Sequence, residues 1–420
     1  MLNHTFYKGL KTYNKKKKII FLVIRKQPGE IDWILPVLNN IKDKVNIITI
    51  FEKKISLKLL KQNETLYKIF LQTICCYFVN SKFKCLFLRL ASKLSYILNI
   101  NKAEIFFKKK IFQNYYKISD LLKSLSSNHI ILDSKNIRVG MQDFTDNSPW
   151  ILKLKNEIKN CKIISYPHTT KIYSAKRNIF KPRNKGFDRN FLFLSSQNDL
   201  KHFENKARNQ YVYICGYTKY EKKWLKKIEK YSPSTLYKKL NKKKNIFIAY
   251  KGFNDSLFNK HDYINQVKKL FDFVNTSQKY KLIFKFHPHV QQEKVFLKIA
   301  NKYPKELWTI TKSYLHTIIK NSSVCMSFYN NASITDFLAA GKLPIQLEKV
   351  TLNKNLRSTY SDLNLCLTLK NNLSIKKAVN LSLKKNKDLK MKIFFTNFDK
   401  LFRKKNSIDF TSSKILEIMK

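Results

Sequence analysis

The chain has 420 residues and a formal net charge of +55, with 83 Lys and Arg against 28 Asp and Glu. At 44% hydrophobic and 14% aromatic it can bury sizeable cores, so wholesale disorder is excluded, and its length suits two domains. Nine of the basic residues are Arg and the rest Lys, amid abundant Asn, Ile, Tyr and Phe; A/T-rich coding explains most of that charge, and a specific nucleic-acid reader, which favours the Arg fork, is not expected.

The basic run 15–18 precedes the apolar run 19–24, IIFLVI. Six apolar residues are too few for a signal peptide or a membrane span and fit a strand covered on both faces. A Pro-Gly-containing loop follows, then an expected helix at 32–40 and a second strand at 45–51. Residues 56–125 read as mostly helical, Lys-rich and aromatic. Within them, 70–100 is the most lipid-like stretch; its Lys and Arg residues stop it spanning a bilayer but let it lie on one. Short strands are expected at 129–133, 138–141, 162–166, 191–195 and 211–215, with a helix at 151–159. The charged stretch 222–244 reads as the inter-domain linker.

A second series of strands and helices follows. Strands are expected at 245–250, 282–286, 307–311, 324–327, 343–347 and 363–369. Helices are expected at 264–276, 292–302, 314–320 and 333–340, and again towards the C-terminus. Alternating strands and helices predict an α/β protein with two Rossmann-like domains facing a cleft, at 1–235 and 236–420. In such folds ligands bind outside the carboxyl ends of the strands, so the loops there are the candidate sites.

Six loops stand out. Lys285-Phe-His287-Pro-His289 ends a strand, and Pro288 forces the chain to turn, presenting His287 at the rim as an acid or a phosphate donor. Ser327-Phe-Tyr-Asn-Asn331-Ala-Ser333-Ile-Thr-Asp336 joins a strand to a helix; Ser333 is expected as N-cap and Asp336 as the acidic member of a capping box, leaving amide groups for an anion. Lys251-Gly252 follows the first strand of the second domain. In the first domain, Tyr166-Pro-His168 and Pro28-Gly29-Glu30 also follow strands, so His168 or Glu30 is a candidate general base. Gly216-Tyr-Thr-Lys-Tyr220 reads as a structural turn.

The seven cysteines, at 75, 76, 85, 161, 215, 325 and 366, are scattered and form no CxxC, which argues against a disulfide framework or zinc site and suits a reducing cytosol. No dinucleotide or P-loop glycine motif and no metalloprotease, serine-hydrolase or Asp-x-Asp motif occurs, so no cofactor and no metal are expected.

Several segments resemble one group of enzymes. Lys285-Phe-His287-Pro288 is similar to the K/R-x-H-P motif of bacterial GT-B-type transferases that build surface carbohydrates, among them sialyltransferases, capsule transferases and CDP-glycerol glycerophosphotransferases. VCMSFYNNASITDFLAAGKLPI (324–345) resembles their strand, Ser-rich turn and helix block. GEIDWILP (29–36) resembles an opening segment of surface-polysaccharide proteins, and 213–224 a Gly-Tyr…Trp segment of the same group. The loop 166–171 distantly resembles the Trp-His-Gly-Thr loop of the glycerophosphotransferases.

The resemblance implies a GT-B-like fold and a metal-independent, inverting glycosyltransferase acting on a nucleotide-activated sugar. Its acceptor would be a surface polysaccharide or a lipid-linked glycan, in capsule or lipopolysaccharide biosynthesis. Lys285, His287, Asn331 and Ser333 would hold the donor phosphate, and Lys251, Gly252 and Asp336 the nucleotide. Glu30, His168 and His287 would be catalytic. Two alternatives are a CDP-glycerol-type polyol-phosphate transferase and a non-enzymatic polyanion-binding scaffold; a sugar epimerase is disfavoured because its extra acid–base carboxylates are not identifiable. The expected location is the cytoplasm, with possible peripheral contact with the anionic inner face of the membrane.

Overall fold

A computed structural model describes residues 4–25, 29–80, 86–98, 100, 102–107, 111, 118–144, 148–167, 191–197, 199, 211–232, 244–254, 258–286, 293–329, 331–348, 350, 352, 359–369, 374–384, 389–402 and 404–420. Its strands form two sheets. The first comprises β1 (His4–Lys8), β2 (Ile19–Ile24), β3 (Asn46–Phe51), β4 (Cys76–Asn80), β5 (Ile137–Asp143), β6 (Lys162–Tyr166), β7 (Phe191–Leu194) and β8 (Tyr211–Ile214), in the order β1-β4-β3-β2-β5-β6-β7-β8. Only β1 runs antiparallel, against β4. The second comprises β9 (Lys244–Tyr250), β10 (Tyr280–Phe286), β11 (Trp308–Ile310), β12 (Val324–Ser327), β13 (Pro344–Gln346) and β14 (Leu367–Thr368), in the order β11-β10-β9-β12-β13-β14, all parallel. Two Rossmann-like α/β domains result.

The central strands follow from composition. Every residue of β2 and β3 is buried, and helices cover both faces of a parallel sheet, so an unbroken apolar run is stable there. The expected strand at 129–133 does not form. The helix Ile118–Ser127 ends just before it, and His129 takes a left-handed conformation (φ 61°) that breaks extension. Within the stretch expected to be helical, β4 pairs with β1, an edge strand that the sequence reading missed. The expected linker is also shorter: Lys222–Tyr231 is a helix that buries Trp224 and Ile228 in the first domain's core. The expected boundary at 235/236 lies outside the described residues.

The C-terminal helices return to the first domain. Phe398 and Phe402 of helix Leu389–Phe402 pack against Tyr220 and Tyr217, with ring centroids 5.6 and 5.3 Å apart. Helix Ser407–Met419 lies on helix Gly29–Ile41, where Ser412 donates to the Val37 carbonyl. Lys18 and Lys162 donate to the carbonyls of Met419 and Ile418, at 3.0 and 2.9 Å. These contacts draw Ile408, Ile415 and Ile418 into the core built on β2 and β3.

Candidate functional site

Each sheet reverses its build direction beside its central strand. In the second sheet the chain adds β10 and β11 on one side of β9 and then crosses to place β12 on the other; in the first, β3 and β4 flank β2 on one side and β5 on the other. A crevice opens at such reversals because the following loops diverge. The loops after β9 and β12 are those carrying Lys251-Gly252 and Asn331-Ser333.

The β9 loop is held by one carboxylate. Glu293, just before helix Lys294–Ala300, accepts from the Tyr250 hydroxyl and, at 2.6 Å, from the Phe253 amide. The Tyr263 hydroxyl lies 2.8 Å from the Lys251 carbonyl and 3.3 Å from Glu293. This brings Lys251 and Gly252 to the crevice, with the Lys251 ammonium 5.5 Å from the Phe258 ring centroid. Burial holds the Lys251 pKa below its ordinary value. Glu293 was not singled out by sequence, since an isolated Glu before a helix carries no signal.

At the end of β12 the expected capping box does not form. Ala332 occupies the cap of helix Ser333–Ala339, and Asn331 Oδ1, not Ser333, accepts the amide, from Ser333 N at 3.0 Å. Asn331 accepts from the amide two residues on, an Asx turn just before the helix. Ser333 Oγ is thereby left buried with no hydrogen-bond partner among the described residues. Asp336 points away to the other domain.

On the neighbouring strand end, Lys285 Nζ donates to the Ser313 and Lys312 carbonyls, at 2.7 and 3.3 Å. Burial pushes its pKa down to about 8, partly offset by Asp32. β10, β9 and β12 are adjacent, so Lys285, Lys251-Gly252 and Asn331-Ser333 end three neighbouring strands. His287 and His168 lie outside the described residues; Glu30 belongs to helix Gly29–Ile41, but its side chain is likewise outside them.

The cleft is spanned by a buried polar network. Lys219, in the turn after β8, lies 2.9 Å from Asp336 Oδ1 and 3.6 Å from Asp32 Oδ2. Tyr314 donates to Asp32, and the Tyr220 hydroxyl meets Thr335 Oγ1 at 2.8 Å. Asp32 and Asp336 each occupy the first turn of a helix that follows a strand at the crevice, where the helix dipole favours a carboxylate. Burial opposes the charge on Lys219, but Asp336, Tyr220 and Asp32 outweigh it and hold its pKa well above the ordinary value. Burial raises the Asp336 pKa, with Lys219 pulling it back. The nucleotide role expected of Asp336 thus has to coexist with this pair.

Gly216 sets the turn. Its φ is 78°, and a Cβ there would meet the side chains of Ser407 and Lys404. Its carbonyl accepts from the Trp33 indole at 3.2 Å, while Thr218 donates to the Trp33 carbonyl. Nearby, Glu229 joins His316 and Lys320 at 3.3 and 2.6 Å, a second link between the domains. On the first sheet's carboxyl edge, Glu52 pairs with Arg25 at 3.3 Å and accepts from Ser148, the cap of helix Pro149–Glu157. Among the described residues no group of three or more His, Cys, Asp or Glu is placed to hold a metal. No described helix is long and apolar enough to cross a membrane.

No protein-family model matches the chain, and no curated protein sequence does. Solved structures do resemble it. A UDP-GlcNAc 2-epimerase from Methanocaldococcus jannaschii, in complex with UDP-GlcNAc and UDP, superposes with a TM-score of 0.56 at 14% identity, over 95% of this chain and 99% of the other. Staphylococcus aureus MnaA with UDP gives 0.54 at 11% identity, over 96% and 97%. The Neisseria meningitidis UDP-GlcNAc 2-epimerase bound to UDP-GlcNAc gives 0.55 at 9% identity, over 95% and 100%. The fold is GT-B-like. It is shared along the whole length of the chain, with two Rossmann-like domains facing a cleft.

Proposed function

We propose that the chain transfers a sugar from a nucleotide-activated donor to a surface-polysaccharide or lipid-linked acceptor, without a resident metal. The observation that carries this reading is the set of polar groups on three adjacent strand ends beside the β9/β12 reversal, above all the buried Ser333 hydroxyl, which has no hydrogen-bond partner among the described residues. The bound UDP and UDP-GlcNAc of similarly folded proteins support a nucleotide diphosphate there.

In this reading Ser333, Asn331, Lys285 and His287 take the charge that builds on the departing diphosphate, and Lys251, Gly252 and Asp336 hold the nucleotide. Fixed donors aimed at developing charge act without reorganising as the bond breaks. Glu30 or His168 of the first domain removes the proton of the acceptor hydroxyl. That oxygen attacks the anomeric carbon from the side opposite the diphosphate, which leaves with the bonding pair, so the configuration inverts.

Thermal shift with UDP, CMP, CDP and GDP is the first test, because a ligand of the native state raises apparent stability. One nucleotide is expected to stand out; equal, salt-sensitive effects of all four would favour the polyanion scaffold. With the donor known, His287→Ala is expected to cut turnover about ten- to a thousand-fold. Unchanged turnover removes His287 from the site. A phosphodiester product would replace the reading by a polyol-phosphate transferase, and a donor altered at a sugar carbon without acceptor by an epimerase.

A further inference from the structure

Over residues 90–97, helix Leu86–Ile97 turns apolar side chains to solvent and buries polar ones. Ser92 and Ser95 are buried, and Ser95 donates to the Ala91 carbonyl within the helix. Leu90, Leu94 and Ile97, spaced four and three residues apart and so on one face, are 51%, 57% and 61% exposed. Leu98, Ile100, Ile105 and Phe106, which follow the helix in sequence, are exposed as well. With Tyr96, eight of the fifteen exposed large hydrophobics of the described chain fall within residues 90–106, so they concentrate in one segment rather than scatter. Isolated exposed apolar residues need no explanation; a contiguous patch marks a contact surface.

The charge around the patch selects its occupant. Lys93 and Lys102 are exposed among the apolar side chains, and the sequence from 81 to 117 holds nine basic residues and one acidic. A second copy would bring two such cationic rims, and two chains of net charge +55, against each other. A glycan would need hydroxyl and carboxylate partners, which an aliphatic stripe of Leu and Ile does not offer. An anionic bilayer satisfies both parts: its headgroups meet the lysines, and its acyl boundary takes the leucines and isoleucines.

We propose that the face formed by Leu90, Leu94, Ile97, Leu98, Ile105 and Phe106 docks on an anionic lipid bilayer, lying in the interface without crossing it. This stands independently of the chemistry assigned to the cleft.

The test is flotation of the full chain with vesicles of phosphatidylcholine alone and of phosphatidylcholine with about 30% phosphatidylglycerol, for wild type and for Leu90→Ser/Leu94→Ser/Ile97→Ser. The three positions are exposed, so the variant should keep the wild-type melting temperature; Tyr211→Ser, exposed elsewhere, is the control. Wild type and Y211S are expected to float with the anionic vesicles only, and the triple variant to lose at least tenfold in partitioning. Equal flotation of wild type and triple variant would mean that the overall charge suffices, and overturns the proposal. So does flotation with neutral vesicles alone. Sedimentation velocity gives a third arm: a dimer abolished by the triple variant, with no vesicle binding, assigns the face to self-association and rejects the bilayer.

Discussion

Lys219 and Asp336 belong to different domains, yet their side chains meet at 2.9 Å inside the protein. Asp32 completes the cluster from a second helix, so one ammonium serves two carboxylates. The network therefore ties the two domains together across the cleft.

Removing Lys219 leaves two carboxylates facing each other in a closed space. Lys219→Met is expected to destabilise the protein by about 3–5 kcal/mol, the usual result of orphaning buried charge. Trp33 and Trp224 lie close to the network, so tryptophan fluorescence in urea reports it. Adding Asp336→Asn to the Lys219→Met variant is expected to restore part of the loss. A loss below about 1 kcal/mol in K219M would show an exposed, weak pair instead.

On the proposed reading, Lys285 is expected to make stability and donor binding respond to pH in opposite directions. Its folded pKa of about 8 lies below the ordinary 10.5, so between those values the unfolded chain binds more protons and this group's contribution to stability rises with pH. Below about pH 8 both states are protonated and the penalty is fully present. If Lys285 holds the donor phosphate as proposed, donor affinity is expected to fall above about pH 8, as its ammonium is lost. Titration calorimetry between pH 7 and 10 checks this; a profile unchanged in Lys285→Met would place the titration elsewhere.

Ser333 separates binding from folding. Its buried hydroxyl has no described partner, so Ser333→Ala is expected to leave the melting temperature within about 2 °C, since removing an unsatisfied polar group costs little. Donor affinity is expected to drop about 10- to 100-fold, the worth of a hydrogen bond to a charged group. If affinity holds and stability falls, the hydroxyl serves the core instead.

Gly216 carries the turn that delivers Lys219. Its positive φ and the nearness of Ser407 make Gly216→Ala costly, by at least about 1–3 kcal/mol. The readout is thermal unfolding, supplemented by donor affinity, which is expected to weaken along with it. Full stability in G216A would show that the turn relaxes freely.

The sheets were largely legible because IIFLVI and NIFIAY are apolar runs of strand length. HTFYK was not: its alternation is short, and its partner β4 lies amid lysines and aromatics that read as helix. The strand-end loops were singled out by their Pro, His and Ser, but the groups that bind the domains together were not. Lys219 is one lysine among dozens, and nothing local distinguishes it. Asp32 sits two residues after Glu30 in the same motif, and only the fold shows that it reaches Lys219. The return of helices Leu389–Phe402 and Ser407–Met419 to the first domain was equally hidden, because an apolar helix face does not name the surface it will cover.

That return has a consequence for how the protein is made. The core around β2 includes Phe398, Phe402, Ile408, Ile415 and Ile418, which leave the ribosome after every strand of the second sheet. The half synthesised first is therefore completed last. Until they arrive, the surfaces of Tyr217 and Tyr220 that those helices cover lack that cover, and transiently exposed apolar surface of this kind promotes aggregation.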